Sequence, residues 1–510
     1  MSPARRHVID SACTISDFDM ENDRRSPLDL GTPVHGFTLS TEIAKGSLIS
    51  FPKFLMESSS SGRFGSIAAG DFHQIAGEHG KFLIFSAVWP QENYSATVRM
   101  KIESPIAVDI FSFGGNNQRF NLRLEDYLLL SLQLFEEIIR KDTIYMAFVP
   151  GSEATSKLSG RSSISEKLLR GNMMNLFLLS IILGVMLLLL LQAMGLGPIA
   201  PFIMIVVLLS IVLSAGKILA IRSDWRITET NTDVVIIECK LDSSVVPTFF
   251  KDREDSLSAL KRRLYELMTY EKRHLSHTDV AALFTEAGIP AAPEQVVVKR
   301  TNIYEIVKRA ARHFEMPIPA IVVTKNPKPN AAATGFSKRL ATMLITFGLL
   351  VQLEEKEIEL VVGHELSHLR FGDPAILFSI IIAEYLLRVY VIMPYIAAFW
   401  LIYLIFIFWL IFFFGKFLEA RADLEAAYIL RDPKTMANSL KKIGFKRLLL
   451  DSNFIEGQKT SFGDWLAFDP HPPLGFRIRR MENLDLNDVP KHTLLRSISD
   501  VFSGINSSRK

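Results

Sequence analysis

Apolar residues are spread unevenly along this chain. Two blocks, Asn172–Ala220 and Ala375–Phe417, are almost continuously hydrophobic, whereas the remainder mixes apolar and polar positions as an ordinary folded protein does. Within the first block, Met173–Met194 and Pro198–Leu219 each supply about 22 nearly uncharged residues, and a helix needs roughly 20 to cross ~30 Å of hydrocarbon. The uncharged stretch GLGPIAP between them predicts a turn. In the second block, Ala375–Phe414 is long enough for ~60 Å of helix at 1.5 Å per residue, or two crossings that turn near Met393-Pro394-Tyr395. The two segments of the first block lack the polar stripe of a buried core helix. Four transmembrane helices in two hairpins are therefore predicted. Glu384 and Arg388 lie one turn apart inside the third, either as an i,i+4 pair that eases its own burial or as a polar face turned toward a reaction cavity.

Outside the hairpins the pattern divides the chain further. Residues 1–33 are polar, charged and without periodicity, the composition of a disordered N-terminus. Residues 34–150 read as an α+β module. Tyr94–Ile102 alternates with Ala96, Val98, Met100 and Ile102 on one face, as a half-buried strand does, and Asp126–Lys141 is helix-like. Residues 151–170 form a linker by composition and 171–220 the first hairpin. In 221–374, strands are predicted at Asp233–Leu241, Ala320–Thr324 and Thr342–Thr346. Helices are predicted at Asp255–His274, Tyr304–Phe314 and Glu354–Phe371, the last ended by Gly372 and Pro374. The second hairpin takes 375–414, a further polar segment 415–485, and a tail 486–510.

Charge fixes an orientation. Lys167 and Arg170 precede the first span, Arg222 and Arg226 follow the second, Arg370 precedes the third, and Lys416 and Arg421 follow the fourth, while both hairpin turns are uncharged. The positive-inside rule then places both termini and all large polar regions in the cytoplasm. A formal net charge of +3 is too small to argue for nucleic acid as a partner. Cys13 and Cys239 have no metal-like spacing and support no disulfide framework, which fits a reducing compartment. The N-terminus lacks the apolar run of a secretory signal.

Candidate chemistry is concentrated in IELVVGHELSHLRFGDP, which starts at Ile358. His364 and His368 are four residues apart, so their rings project from one helix face and can bind a single ion. Zinc accepts imidazole nitrogen and prefers four ligands in a tetrahedron. Beside the first histidine, Glu365 is placed to take a proton from water that the metal has acidified. Two histidines leave the protein one ligand short. The stretch FLEARADLEAA, just past the second hairpin, returns to the same membrane face and offers either Glu419 or Glu425. Asp423, four residues beyond Glu419, would hold a ligand histidine through its other ring nitrogen.

In order, MPIPAIVVTKNPKPNAAATGFS, MLITFGLL, VVGHELSHLRFGD, EARADLEAA, DPKTMANSLKKI and HPPLGFRIRRM resemble the HtpX-type integral-membrane zinc metalloproteases, a broad family shared with the CAAX prenyl endopeptidases. The resemblance is strong over about 170 residues and loose over about 310. It implies an α+β fold with a mostly helical, zincin-like protease domain and a small edge sheet, interrupted by the membrane hairpins and preceded by the added N-terminal α+β module. It also implies one catalytic Zn2+ on His364, His368 and Glu419, Glu365 as general base, and Asp423 behind a ligand. Asn330 and Ala331 fall on the family's substrate-pairing edge, and His471, with Arg477, falls where the developing oxyanion would be stabilised. Two departures stand out: Ala332 replaces a more usual aromatic, which leaves the shape of the substrate groove open, and Gly363 replaces a more usual alanine. The leading expectation is a membrane-embedded zinc endopeptidase that meets misfolded or surplus membrane proteins at the cytoplasmic face of the lipid bilayer. A prenyl-peptide endopeptidase and a catalytically idle, zinc-stapled scaffold or sensor are the other two readings.

Overall fold

The computed structural model describes residues 30–60, 67–77, 80–112, 114–151, 186–187, 189–197, 199–207, 209–210, 225–241, 254–335, 338, 341–392, 395, 399–451 and 460–509. The linker at 151–170 falls outside them apart from Gly151, as do residues 1–29 and most of the first hairpin. Of that hairpin the turn is described: Gly195 adopts φ +76°, which an L side chain rarely takes, and Phe202 lies 6.0 Å from the Tyr390 ring of the second hairpin.

Three sheets order the polar regions. The first is antiparallel, β1-β5-β4-β3-β2, built from β1 (His35–Leu39), β2 (Ala68–Gly77), β3 (Gly80–Trp89), β4 (Tyr94–Lys101) and β5 (Ile106–Phe111). In β4, Ala96, Val98 and Met100 are buried, as their alternation predicts. Helices α1 (Phe51–Ser60) and α2 (Gln118–Arg140) cover this sheet's inner face. Helix α2 begins eight residues before the apolar run that predicted it, because the Asn117 side chain caps it by accepting from Phe120 N–H at 3.1 Å.

The second sheet, β6-β8-β9, joins β6 (Thr143–Phe148) to β8 (Asp233–Lys240) and β9 (Val296–Asn302). The N-terminal module thus gives its last strand to a sheet completed on the far side of the first hairpin. Helices α3 (Glu254–Thr269) and α4 (His277–Glu286) pack on that sheet. The third sheet, β11-β12-β10-β7, contains β7 (Trp225–Ile227), β10 (Ala320–Thr324), β11 (Ala331–Thr334) and β12 (Thr342–Thr346); β10 and β12 are parallel, and β11 is an antiparallel edge. Periodicity could not reveal β11, whose sequence AAAT contains no apolar alternation.

Helices complete the C-terminal region: α5 (Ile303–His313), α6 (Glu355–Phe371), α7 (Asp373–Leu387), α8 (Trp400–Leu430), α9 (Pro433–Leu448), α10 (Phe462–Leu466), α11 (Leu474–Glu482) and α12 (Thr493–Ser507). Two segments among the described residues are long and apolar enough to cross a membrane, Asp373–Ile392 and Trp400–Leu430. The second changes character along its length. Up to Phe414 it is exposed or half-buried; from Gly415 to Leu418 it is fully enclosed by protein. One helix therefore changes from an apolar, exposed segment to one enclosed by protein. Within the spans, Glu384 accepts from Arg388 Nε at 2.7 Å and from the Tyr403 hydroxyl at 3.2 Å, so the i,i+4 pair also ties α7 to α8.

The N-terminal module is fused to the C-terminal helices. Its core runs continuously into Met436, Ala437 and Leu440 of α9 and Ile478 and Met481 of α11. Buried Lys441 bridges Asp126 of α2, at 2.5 Å, and Glu482 of α11, at 2.6 Å. Lys442 joins Glu357 of α6 at 2.9 Å and Ser40 Oγ at 2.8 Å. Helix α9 is thus fastened to both sides.

Candidate metal centre

Helix α6 carries the two histidines. The Glu357 carboxylate accepts from Glu354 N–H at 2.8 Å at its start, and Gly372, at φ +70°, closes its end. Its apolar face, including Ile358, Val362 and Leu366, is buried against α5 and the third sheet. Gly363 marks a close approach: a Cβ there would lie 2.7 Å from Leu430 Cδ1 and 3.2 Å from Phe314 Cε2, which accounts for glycine in place of the expected alanine.

His364 and His368 turn their rings toward each other at 83°, with Nε2 atoms 3.2 Å apart. Glu419 reaches them from α8, with Oε2 3.3 Å from His364 Nε2 and Oε1 3.5 Å from His368 Nε2. Glu425 points elsewhere, accepting from Ser367 Oγ at 2.7 Å and Thr493 Oγ1 at 2.6 Å. Of the two carboxylates the sequence offered, Glu419 is the one that meets the rings.

Both Nδ1 atoms face carboxylates: His364 lies 3.0 Å from Asp423 and His368 lies 2.7 Å from Asp373. This arrangement holds a proton on each Nδ1 and leaves each Nε2 as a lone pair. Two opposed lone pairs 3.2 Å apart, beside a buried Glu419 Oε2 with no hydrogen-bond partner, call for a cation between them. A tetrahedral zinc ion with bonds of ~2.0–2.1 Å requires ligand atoms ~3.3–3.4 Å apart. The 3.2 Å between the rings and the 3.3 and 3.5 Å from them to the two oxygens of Glu419 lie close to that spacing, so the donor set fits zinc.

Each carboxylate has an arginine behind it. Arg477 donates to both oxygens of Asp423 at 2.7 Å, and Arg421 donates to Asp373 at 2.9 and 2.6 Å. Burial raises the Asp423 pKa, but the Arg477 guanidinium and the His364 ring outweigh it and hold the carboxyl well below its usual range. Burial likewise opposes ionisation of Glu419, yet the surrounding His471, His364 and His368 keep it anionic. For His364, burial disfavours charge, but the Asp423 and Glu419 carboxylates beside its two ring nitrogens prevail and push it up to about 10. The anionic pocket that favours a proton on this ring favours a divalent cation equally.

Glu365 is half-buried beside the histidines, and its Oε2 accepts from Ala333 N–H of β11 at 2.9 Å. Burial raises its pKa above the ordinary value despite both neighbouring rings, which suits a group that must take up and release a proton. Just before β11, Asn330 is occupied with Thr346, its N–H donating to Thr346 Oγ1 at 2.8 Å and its C=O accepting from Thr346 N at 3.0 Å. Because antiparallel pairs alternate, the N–H and C=O of Ala331 and Ala333 turn away from β12. Of the two expected edge residues, Ala331 therefore faces outward and Asn330 faces inward.

His471 approaches from the segment before α11. Its Nε2 is 3.4 Å from Glu419 Oε2 and its Nδ1 is 3.0 Å from Asp469, which Arg447 holds at 2.7 Å. Arg477, the other residue expected near the oxyanion, engages Asp423 through its Nε and Nη2. Three histidines thus share one construction, a ring backed by an aspartate backed by an arginine. Sequence reading found one of these backings and missed Asp373, Arg421, Asp469 and Arg447. Asp373 registered only as part of a helix stop, FGDP, and Arg421 only as a flanking charge.

Comparison with known proteins agrees with this geometry. Residues 281–485 match the model of Peptidase family M48. The chain is 27% identical over 256 residues to a protease HtpX homolog of Caldanaerobacter subterraneus, covering 44% of this chain and 82% of that protein. It is 27% identical over 253 residues to a homolog from Listeria monocytogenes, covering 41% and 81%. A shorter match, 39% identical over 71 residues, joins it to protease HtpX of Nitrosococcus oceani, covering 14% and 24%. Residues 281–485 are thus similar to the peptidase domain of family M48, and the relatives they resemble are HtpX-type members of that family.

Proposed function

We propose that this metallopeptidase is a membrane-embedded, zinc-dependent endopeptidase that hydrolyses peptide bonds at the cytoplasmic membrane face, with misfolded membrane proteins as substrates. The observation that carries the reading is the convergence of His364, His368 and Glu419 at tetrahedral ligand spacing. A zinc ion held there would supply Lewis acidity, acidifying water and polarising the scissile carbonyl. Glu365 takes the proton from the attacking water and delivers it to the leaving amine. His471, backed by Asp469, donates from Nε2 to the carbonyl oxygen as negative charge develops on it. Asp423 with Arg477, and Asp373 with Arg421, are positioning residues that fix the ligand rings. An extended substrate adds to the open edge of β11 through the outward groups of Ala331, a mode that accepts only unfolded chain.

Placement supports the choice of substrate. Helix α8 runs directly from an apolar segment into the wall of the site, which supports a site close to the membrane surface, where cytoplasmic loops of membrane proteins would emerge. The test uses the detergent-solubilised full chain and a casein-like unfolded substrate. Cleavage should vanish with chelator and return with added zinc, and Glu365→Gln should abolish it while retaining the metal. Undiminished cleavage by that variant would rule the mechanism out.

A further inference from the structure

Helix α10 and the two residues after it, Phe462-Gly-Asp-Trp-Leu-Ala-Phe468, lie along the apolar half of α8. Trp465 is fully buried and packs edge-on against Phe476 at 4.9 Å, which directs its neighbours the other way: Leu466 is 42% exposed and Phe468 46% exposed. Such exposure of two adjacent large apolar side chains would be unfavourable in water. Their surroundings, however, belong to the span. Trp409 Nε1 donates to the Leu466 carbonyl at 3.1 Å, and the Phe468 ring lies 6.5 Å from Phe412. Trp409 is five residues inside the end of the apolar run at Phe414, or ~7–8 Å along the helix, comparable with the ~5–8 Å of headgroup region on each side of a bilayer. Beside them, Phe502 of α12 is 48% exposed against Phe417, and the Arg509 guanidinium lies 4.7 Å over the Phe462 ring. Apolar side chains at this depth with a cation at the same end make an interfacial anchor.

We propose that residues 462–468 dip into the cytoplasmic leaflet, with Leu466 and Phe468 inserted among the lipid chains, and that the bilayer thereby seats the segment that brings His471 to the metal centre. The inference rests on the membrane reading given above. Continuity with the lipid-facing side of α8 identifies the occupant as phospholipid. The link to the site is short: Asp469 follows Phe468 directly, and Lys416 Nζ holds the carbonyls of Ala467, Asp469 and His471.

Site-directed spin labels test this in the full chain carrying Cys13→Ser, since Cys239 is buried. Labels replace Leu466, Phe468, Phe406 within the span, or Val88 on the N-terminal sheet, and the protein is reconstituted in phosphatidylethanolamine and phosphatidylglycerol vesicles. Collisions with oxygen, which enriches in lipid, are compared with those of a water-soluble nickel chelate. Labels at 466 and 468 should follow Phe406 in favouring oxygen, while Val88 favours nickel. If 466 and 468 behave as Val88 does while Phe406 stays in lipid, the anchor is refuted and the membrane reading survives. If Phe406 also collides with nickel, the membrane reading itself is wrong and the anchor falls with it.

Discussion

Replacing Asp373 with asparagine isolates the contribution of a residue that touches no substrate. Asp373 Oδ2 meets His368 Nδ1 at 2.7 Å and Arg421 Nη2 at 2.6 Å, while Oδ1 meets Arg421 Nη1 at 2.9 Å. Asparagine keeps the shape but turns one acceptor into a donor, which must face either the ring N–H or the guanidinium. It also strands the Arg421 charge, which is 2% exposed and otherwise stacks on Phe371 at 4.3 Å. Breaking a buried ion pair in this way costs ~3–5 kcal/mol of stability. Loss of the carboxylate behind a ligand histidine weakens metal binding by ~10–100-fold. The two effects separate experimentally: thermal unfolding with chelator present reads the first, and competition against a zinc-binding indicator reads the second. Asp423→Asn should do the same through His364, whereas Arg421→Met should lower stability more than affinity, because Asp373 still orients His368. Zinc affinity within twofold of the parent in folded Asp373→Asn would refute the reasoning.

Other expectations follow from the same coordinates. Gly363→Ala forces a methyl group against Leu430 and Phe314 and should cost ~1–3 kcal/mol in denaturant unfolding, with partial relief from Leu430→Val. Lys441→Met leaves Asp126 and Glu482 without their shared cation and should destabilise by ~3–5 kcal/mol, accompanied by faster limited proteolysis between the N-terminal module and α9. Burial, then the charge of Glu42, pushes Glu136 up to about 7. A carboxyl raised on folding binds its proton more tightly in the native state, so its stabilising effect is complete below the ordinary value near 4.3 and declines as pH rises toward 7. The urea midpoint should therefore fall between pH 5 and pH 7.5 by an amount that Glu136→Gln reduces; an unchanged slope would contradict this.

The parts legible in the sequence were those with strong local signals. Strands β10 and β12 and the ends of α6 matched their predicted limits, because β-branched runs and a Gly-Asp-Pro stop leave little freedom. HELSH places two rings on one helical face by geometry alone, and the hairpin topology narrowed the third ligand to two carboxylates. The choice between them was not local: Glu419 and Glu425 lie on one helix, and Ser367 and Thr493, distant in sequence, engage the second. The backing of His368 and His471 was equally hidden, because Asp373, Arg421, Asp469 and Arg447 meet only after four helices have packed. Strand β11 escaped because three alanines and a threonine carry no pattern; its position depends on pairing with β12. Fusion of the N-terminal module to α9 was also invisible, since a lysine buried between two carboxylates reads in sequence as surface charge.

The central claim, that two imidazoles and the Glu419 carboxylate bind one zinc ion, is tested most directly by zinc K-edge X-ray absorption on the solubilised, zinc-loaded chain. The account predicts a shell of nitrogen and oxygen at ~2.0–2.1 Å with the outer-shell scattering of two imidazoles, altered by Glu419→Ala. A shell containing sulfur, a single imidazole, or a spectrum indifferent to Glu419→Ala would contradict it.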